Sequence, residues 1–139
     1  MTWYRDAEAE LTLIASAIQS QRSIQLDRLE VLANSLVASL KRSDELIVMA
    51  LSSPAGTPLM TNLVNVAVVA TKIGMGLGYY GRELERLALA GLVHDIGLFA
   101  VPQSLVTKAG RLTPDERTLI EQHPELGYEA IKRTGAEYV

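Results

Sequence analysis

Apolar residues recur every three or four positions through most of this chain. Leu11, Ile14 and Ile18 make one such row, and Leu29, Leu32, Leu36 and Leu40 make another, so each set lines one face of a helix. No convincing strand pair appears. The spacing predicts helices near 5–20, 25–41, 43–52, 59–77, 82–96, 113–122 and 125–134, hence an all-α protein.

Two breaks divide the pattern. Ser52-Ser53-Pro54-Ala55-Gly56-Thr57-Pro58 carries two prolines and a glycine within five positions, which no helix continues through. It separates an N-terminal helical segment, 1–55, from a second region, 56–139. The second break runs from Leu98 to Leu112 and contains Pro102 and Gly110. It leads into Thr113-Pro114-Asp115-Glu116, which has the form of a helix start: Thr113 as N-cap, Pro114 at the first helical position, Glu116 closing a capping box. Gly135 is the expected C-cap of the last helix. Gly74, Gly76 and Gly78 follow a helix rather than a strand, so they fit a helix end better than a phosphate-cradling loop.

Composition narrows the function. With 139 residues, 48% hydrophobic and 21% charged, the chain suits one ordinary domain that folds by burial. It has no cysteine, so disulfides and thiolate metal sites are excluded, and a metal would be held by His, Asp, Glu and water. A formal net charge of −3 with no run of Lys or Arg argues against long nucleic acid as a ligand. The N-terminus lacks a signal pattern, and the apolar stretch from Leu59 to Leu77 is interrupted by Asn62, Asn65, Thr71 and Lys72. The expectation is a cytoplasmic protein with no membrane span.

The chemistry concentrates in Val93-His94-Asp95-Ile96-Gly97-Leu98. His94 and Asp95 stand together at the end of an apolar helical pattern that includes Leu87, Leu89 and Leu92, so burial is expected for both. An imidazole and a carboxylate buried side by side need partners, and a divalent metal suits both. Neighbours on a helix point about 100° apart, so both reach one ion only at a helix edge or end, and Gly97 favours an end. His123 lies 29 positions further on and opens another short helix. It is the natural third ligand. On these residues alone a second reading stands beside the first, with His94 a core histidine bonded to a backbone carbonyl and His123 a surface residue before Pro124. Lys108 has two readings as well, a contact for a substrate phosphate or a solvated side chain.

His94-Asp95-Ile96-Gly97, then Val101-Pro102, Leu105, Lys108, Gly110-Arg111-Leu112-Thr113 and Glu116, then His123-Pro124 with Gly127, resemble the first part of the HD-GYP branch of the HD-domain phosphohydrolases. Val64-Asn65-Val66-Ala67 and Lys72-Ile73-Gly74 are similar to that family's first core helix, and the likeness covers roughly 57–139. It implies an HD-domain-like helical bundle with an N-terminal helical extension. It also implies a two- or three-metal centre, commonly iron or manganese, that hydrolyses the bacterial second messenger cyclic di-GMP. His94 and Asp95 would correspond to the pair that names the family, with Asp95 bridging metals, and His123 to the next metal-binding histidine.

Three departures qualify the resemblance. Asn62 stands where the family has its first metal histidine, and an amide oxygen is a poor substitute for imidazole on a transition metal. Leu98 replaces the usual lysine, removing a charge-assisted contact to phosphate of about 1.5–3 kcal/mol. The 139 residues also do not reach the family's paired histidines, later aspartate and Gly-Tyr-Pro loop. The resemblance therefore implies a relative of the cyclic di-GMP phosphodiesterases that is weakly active or inactive as it stands, acting on a cyclic dinucleotide or another phosphoester if active. The alternative is a degenerate HD domain used as a regulatory or interaction module, with a protein partner or the remainder of a longer chain.

Overall fold

The computed structural model describes residues 2–54 and 57–134. It contains α1 (Thr2–Gln19), α2 (Asp27–Arg42), α3 (Glu45–Leu51), α4 (Leu59–Gly76), α5 (Arg82–Val93), a 3₁₀ segment (Ile96–Ala100), α6 (Gln103–Val106), α7 (Pro114–Glu121) and α8 (His123–Lys132), and no strand among the described residues. The protein is all-α, as its periodicity predicts. Gly135, the expected cap of the last helix, lies outside the described residues.

The elements form two compact units that do not follow chain order: 1–12 with 26–93, and 13–25 with 94–139. The boundary expected at 55/56 falls inside the first. In that unit α5 packs against both α4 and α2. Leu63, Val64, Ala67 and Val68 of α4 bury against this core with Leu84, Ala88 and Leu92 of α5, and Leu29 and Leu36 come from α2. Leu29 and Leu36 belong to the row read from the sequence, and Leu92 to the apolar pattern that precedes His94. The helices approach closely at Gly91, where an added Cβ would lie 2.5 Å from the Cα of Ala67. By length and composition α4 would pass for a membrane-crossing helix, yet its Leu63, Val64, Ala67 and Val68 are spent on contacts inside this unit.

The first residues of α1 are tied into the same unit. Trp3 donates its indole N–H to the Leu32 carbonyl (3.0 Å), and the Tyr4 hydroxyl donates to Asn65 Oδ1 (2.9 Å). Asn65 in turn donates through Nδ2 to Ser53 Oγ (2.7 Å). Burial, and secondarily the charge of Glu8, push the Tyr4 hydroxyl pKa up to about 12.

The glycine run closes α4, with Gly74 and Gly76 in its last turn and Gly78 just beyond it. Gly78 has φ +90°, its N–H reaches the Met75 carbonyl (3.1 Å), and Tyr79 N–H reaches the Gly74 carbonyl (3.0 Å), the paired bonds of a Schellman cap. No phosphate loop is formed there.

In the second unit α8 packs against the 3₁₀ segment, and α6 and α7 bridge between them. Thr113 caps α7 as its spacing predicts: its hydroxyl accepts from Glu116 N–H (3.2 Å) while the Glu116 carboxylate accepts from Thr113 N–H (2.8 Å). One expectation is corrected. The fifth helix stops at Val93, not at 96, and Asp95 leaves helical geometry (φ −120°, ψ 20°). The chain then tightens into i→i+3 bonding, Leu98 N–H to the Asp95 carbonyl (3.0 Å), because the backbone at Gly97 must come flat against α8.

Candidate metal-ligand cluster

Because α5 ends one residue before His94, the side chains of His94 and Asp95 leave the apolar stripe. They are 35% and 30% exposed, which corrects the expectation that the pair is buried. The helix end does what the glycine suggested: it frees two adjacent side chains from pointing about 100° apart.

His123 comes to them through two glycines. A Cβ on Gly97 would overlap the His123 carbonyl and lie 2.7 Å from Gly127 N, while a Cβ on Gly127 would lie 3.2 Å from Gly97 N. The first turn of α8 therefore rests directly on the backbone of the 3₁₀ segment. Asp95 lies between two imidazoles, with its Oδ2 3.2 Å from His94 Nε2 and its Oδ1 3.3 Å from His123 Nε2.

His123 is oriented from behind. Its Nδ1 lies 2.7 Å from the Ile120 carbonyl, and since a carbonyl only accepts, Nδ1 carries the hydrogen. In a neutral ring this leaves the Nε2 lone pair facing Oδ1 of Asp95. Both atoms are donors of the kind that a divalent metal ion takes. A ring N–H held by a carbonyl is also the usual support behind a metal-binding histidine.

The separations suit a metal. Two donors bound at about 2.0–2.2 Å with tetrahedral or octahedral angles stand roughly 3.0–3.5 Å apart, and both His–Asp distances fall in that range. The arrangement differs from a single three-ligand point, however. Each imidazole meets its own carboxylate oxygen, and among the described residues no three His, Asp or Glu side chains are grouped to hold one ion. The geometry is that of a carboxylate shared between two histidines.

The remaining positions read from the sequence lie elsewhere. Lys108 pairs with Glu116 (2.6 Å), and that hydrogen bond is the largest cause holding the Glu116 carboxyl below its ordinary value, followed by the backbone bond from Thr113. Its ammonium is thus engaged with the α7 cap. Leu98 sits half-buried in the 3₁₀ segment. Asn62 lies exposed in the first turn of α4, in the first unit. Two contributors were not picked out from the sequence: the Ile120 carbonyl, which no residue type signals, and the Gly97–Gly127 approach, visible only as two glycines 30 positions apart.

The HD domain family matches residues 28–134, and the chain belongs to that family. Among characterised proteins, it is 31% identical over 77 residues to the cyclic di-GMP phosphodiesterase response regulator RpfG of Xanthomonas campestris, covering 55% of this chain and 20% of that one. It is 39% identical over 74 residues to a cyclic di-GMP phosphodiesterase of Pseudomonas aeruginosa (48% and 17%). It is also 29% identical over 69 residues to a 3'3'-cGAMP-specific phosphodiesterase of Vibrio cholerae (50% and 13%). The chain thus spans a fifth or less of the length of these relatives. No solved structure matches it with significance.

Proposed function

We propose that the His94–Asp95 and His123–Asp95 pairs supply ligands for divalent transition-metal ions, iron or manganese, with Asp95 common to both pairs, in a domain of the cyclic-dinucleotide phosphodiesterase type. The observation that carries the reading is the Asp95 carboxylate with a different imidazole on each oxygen. A metal held there would supply Lewis acidity towards a phosphodiester and an acidified water. The chain's own part is to place the donors. Gly97 and Gly127 fix the distance between the 3₁₀ segment and α8, and the Ile120 carbonyl holds His123 with Nε2 forward. The relatives named above act on cyclic di-GMP or 3'3'-cGAMP, so a cyclic dinucleotide is the substrate class proposed.

The same residues argue for weak or absent turnover. Asn62 stands in place of an imidazole, Leu98 offers a phosphate no charge, and the Lys108 ammonium is taken up by Glu116. These positions favour the second reading, an HD domain retained as a regulatory or interaction module that keeps part of the metal site.

Elemental analysis of protein purified without chelator, followed by an assay with cyclic di-GMP and added Mn²⁺ or Fe²⁺, tests both parts. The expected result is bound metal that is lost in Asp95→Asn and His123→Ala, with turnover close to the blank. Protein that takes up no metal under any loading condition would overturn the ligand assignment. Robust turnover abolished by His94→Ala would overturn the inactive-module reading.

A further inference from the structure

A second hollow, apart from Asp95, lies wholly within the second unit and has a volume of about 740 Å³. That is within the range of small-molecule sites, roughly 300–1,000 Å³. Ile18, Phe99, Val101, Leu126 and Ala130 contribute its apolar wall. Arg22 and Arg133 bring two cations to it, and Gln19, Gln21 and Ser23 bring neutral polar groups.

The charge is one-sided. Among the described residues lining the hollow there is no Asp or Glu, in a chain whose net charge is −3. Neither arginine forms a salt bridge among the described residues, although Arg28, Lys72 and Lys108 each do. Arg22 makes only a long contact to the Ser16 hydroxyl, 3.4 Å. Two guanidinium groups without carboxylate partners, beside an apolar wall, match an anion carried on an apolar or aromatic body.

The backbone that presents Arg22 is also specific. Gln21 has φ +56°, the one non-glycine with positive φ among the described residues. It occupies the left-handed position after α1, with Gln21 N–H on the Ile18 carbonyl (3.1 Å) and Arg22 N–H on the Ala17 carbonyl (2.8 Å). This cap turns the chain sharply so that Gln21, Arg22 and Ser23 all line the hollow.

We propose that this hollow is a binding site for a small organic phosphate, a phosphomonoester on an aromatic body of mononucleotide size, with Arg22 and Arg133 receiving the phosphate. The site does not depend on the metal reading, because it shares no side chain with His94, Asp95 or His123.

Isothermal titration of the full chain in EDTA with a nucleoside monophosphate, the matching nucleoside and inorganic phosphate tests it. The nucleotide is expected to bind one site saturably and at least tenfold more tightly than either fragment. Arg22→Gln and Arg133→Gln, both exposed positions, should each weaken it at least fivefold, and Ala130→Phe, which fills the hollow, should abolish it in protein with an unchanged circular dichroism spectrum. Binding should survive in His123→Ala, which separates this site from the Asp95 cluster. Absence of binding, binding unchanged by the arginine substitutions, or binding lost in His123→Ala would overturn the proposal.

Discussion

The backbone of Gly97 meets the carbonyl of His123 so closely that no side chain fits between them. This contact, rather than any property of the two histidines themselves, sets the 3.3 Å separation of His123 from Asp95. Gly97→Ala is expected to push α8 away, break the His123–Asp95 contact and destabilise the second unit by about 1–3 kcal/mol, the range for overpacking. Gly127→Ala, whose Cβ would stand 3.2 Å from Gly97 N, should cost less. Urea denaturation read beside metal uptake separates the two, with Gly97→Ala losing both stability and metal.

The Ala67–Gly91 crossing predicts a similar sensitivity in the first unit. Gly91→Val would drive a branched side chain into the backbone of α4, and Leu92→Ala would open a cavity at a fully buried position. Leu92→Ala is expected to cost about 2–5 kcal/mol, measured as a shift in the denaturation midpoint.

Tyr4 makes stability depend on alkaline pH. Its hydroxyl pKa is raised from 10.0 to about 12, so the neutral form is favoured by folding. Its contribution is complete below pH 10 and is lost as pH rises towards about 12, because the unfolded chain ionises first. Tyr4→Phe should remove that component of the pH dependence while costing stability at neutral pH through the lost bond to Asn65. A pH series of denaturation midpoints for both proteins checks this.

The Lys108–Glu116 contact makes an acid-side prediction with the opposite sign. Glu116 has a lowered pKa, so its contribution is present above the ordinary carboxylate range and is lost as pH falls through the lowered value. Lys108→Ala should move the Glu116 titration, followed by carboxyl-carbon NMR, upward towards the ordinary value, since the Lys108 bond is its largest cause. Thr113→Ala should destabilise by about 0.5–2 kcal/mol through loss of the N-cap.

Gln21 is an opportunity for stabilisation. A non-glycine in left-handed geometry is strained, and Gln21→Gly should relieve the strain for a net gain of about 0.5–1 kcal/mol after the extra freedom of glycine in the unfolded chain is counted. Thermal melts of the two proteins compare them directly.

Much of this was legible beforehand. Leu29, Leu36 and Leu40, with Leu11 and Ile14, are buried as their spacing implied, while Leu32 and Ile18 of the same rows are half-buried, and Thr113 with Glu116 closes the capping box that its four residues spell out. Both are local: a helix face or cap is written within one or two turns of chain. The His-Asp-x-Gly and His-Pro segments were legible as a family likeness, and the HD domain match bears that out. An end of α5 near Gly97 was legible too, but its position at Val93 was not. Periodicity continues through Val93 to Ile96, and only the need to bring Gly97 against α8 stops the helix early.

The chain's own order of residues determined that the protein is helical and where α4 and α7 begin, and it singled out His94, Asp95 and His123 as candidate ligands by side-chain type. Each of those follows from side-chain type and from spacing within a few turns. Tertiary structure alone decided that each imidazole takes a separate oxygen of Asp95, that Lys108 serves the α7 cap, and that Arg22 and Arg133 line one hollow. Apart from the adjacent His94 and Asp95, those pairings join positions 8 to 111 residues apart. Their distances depend on how closely two backbones pack, which a single contact between Gly97 and His123 can set and no periodicity records.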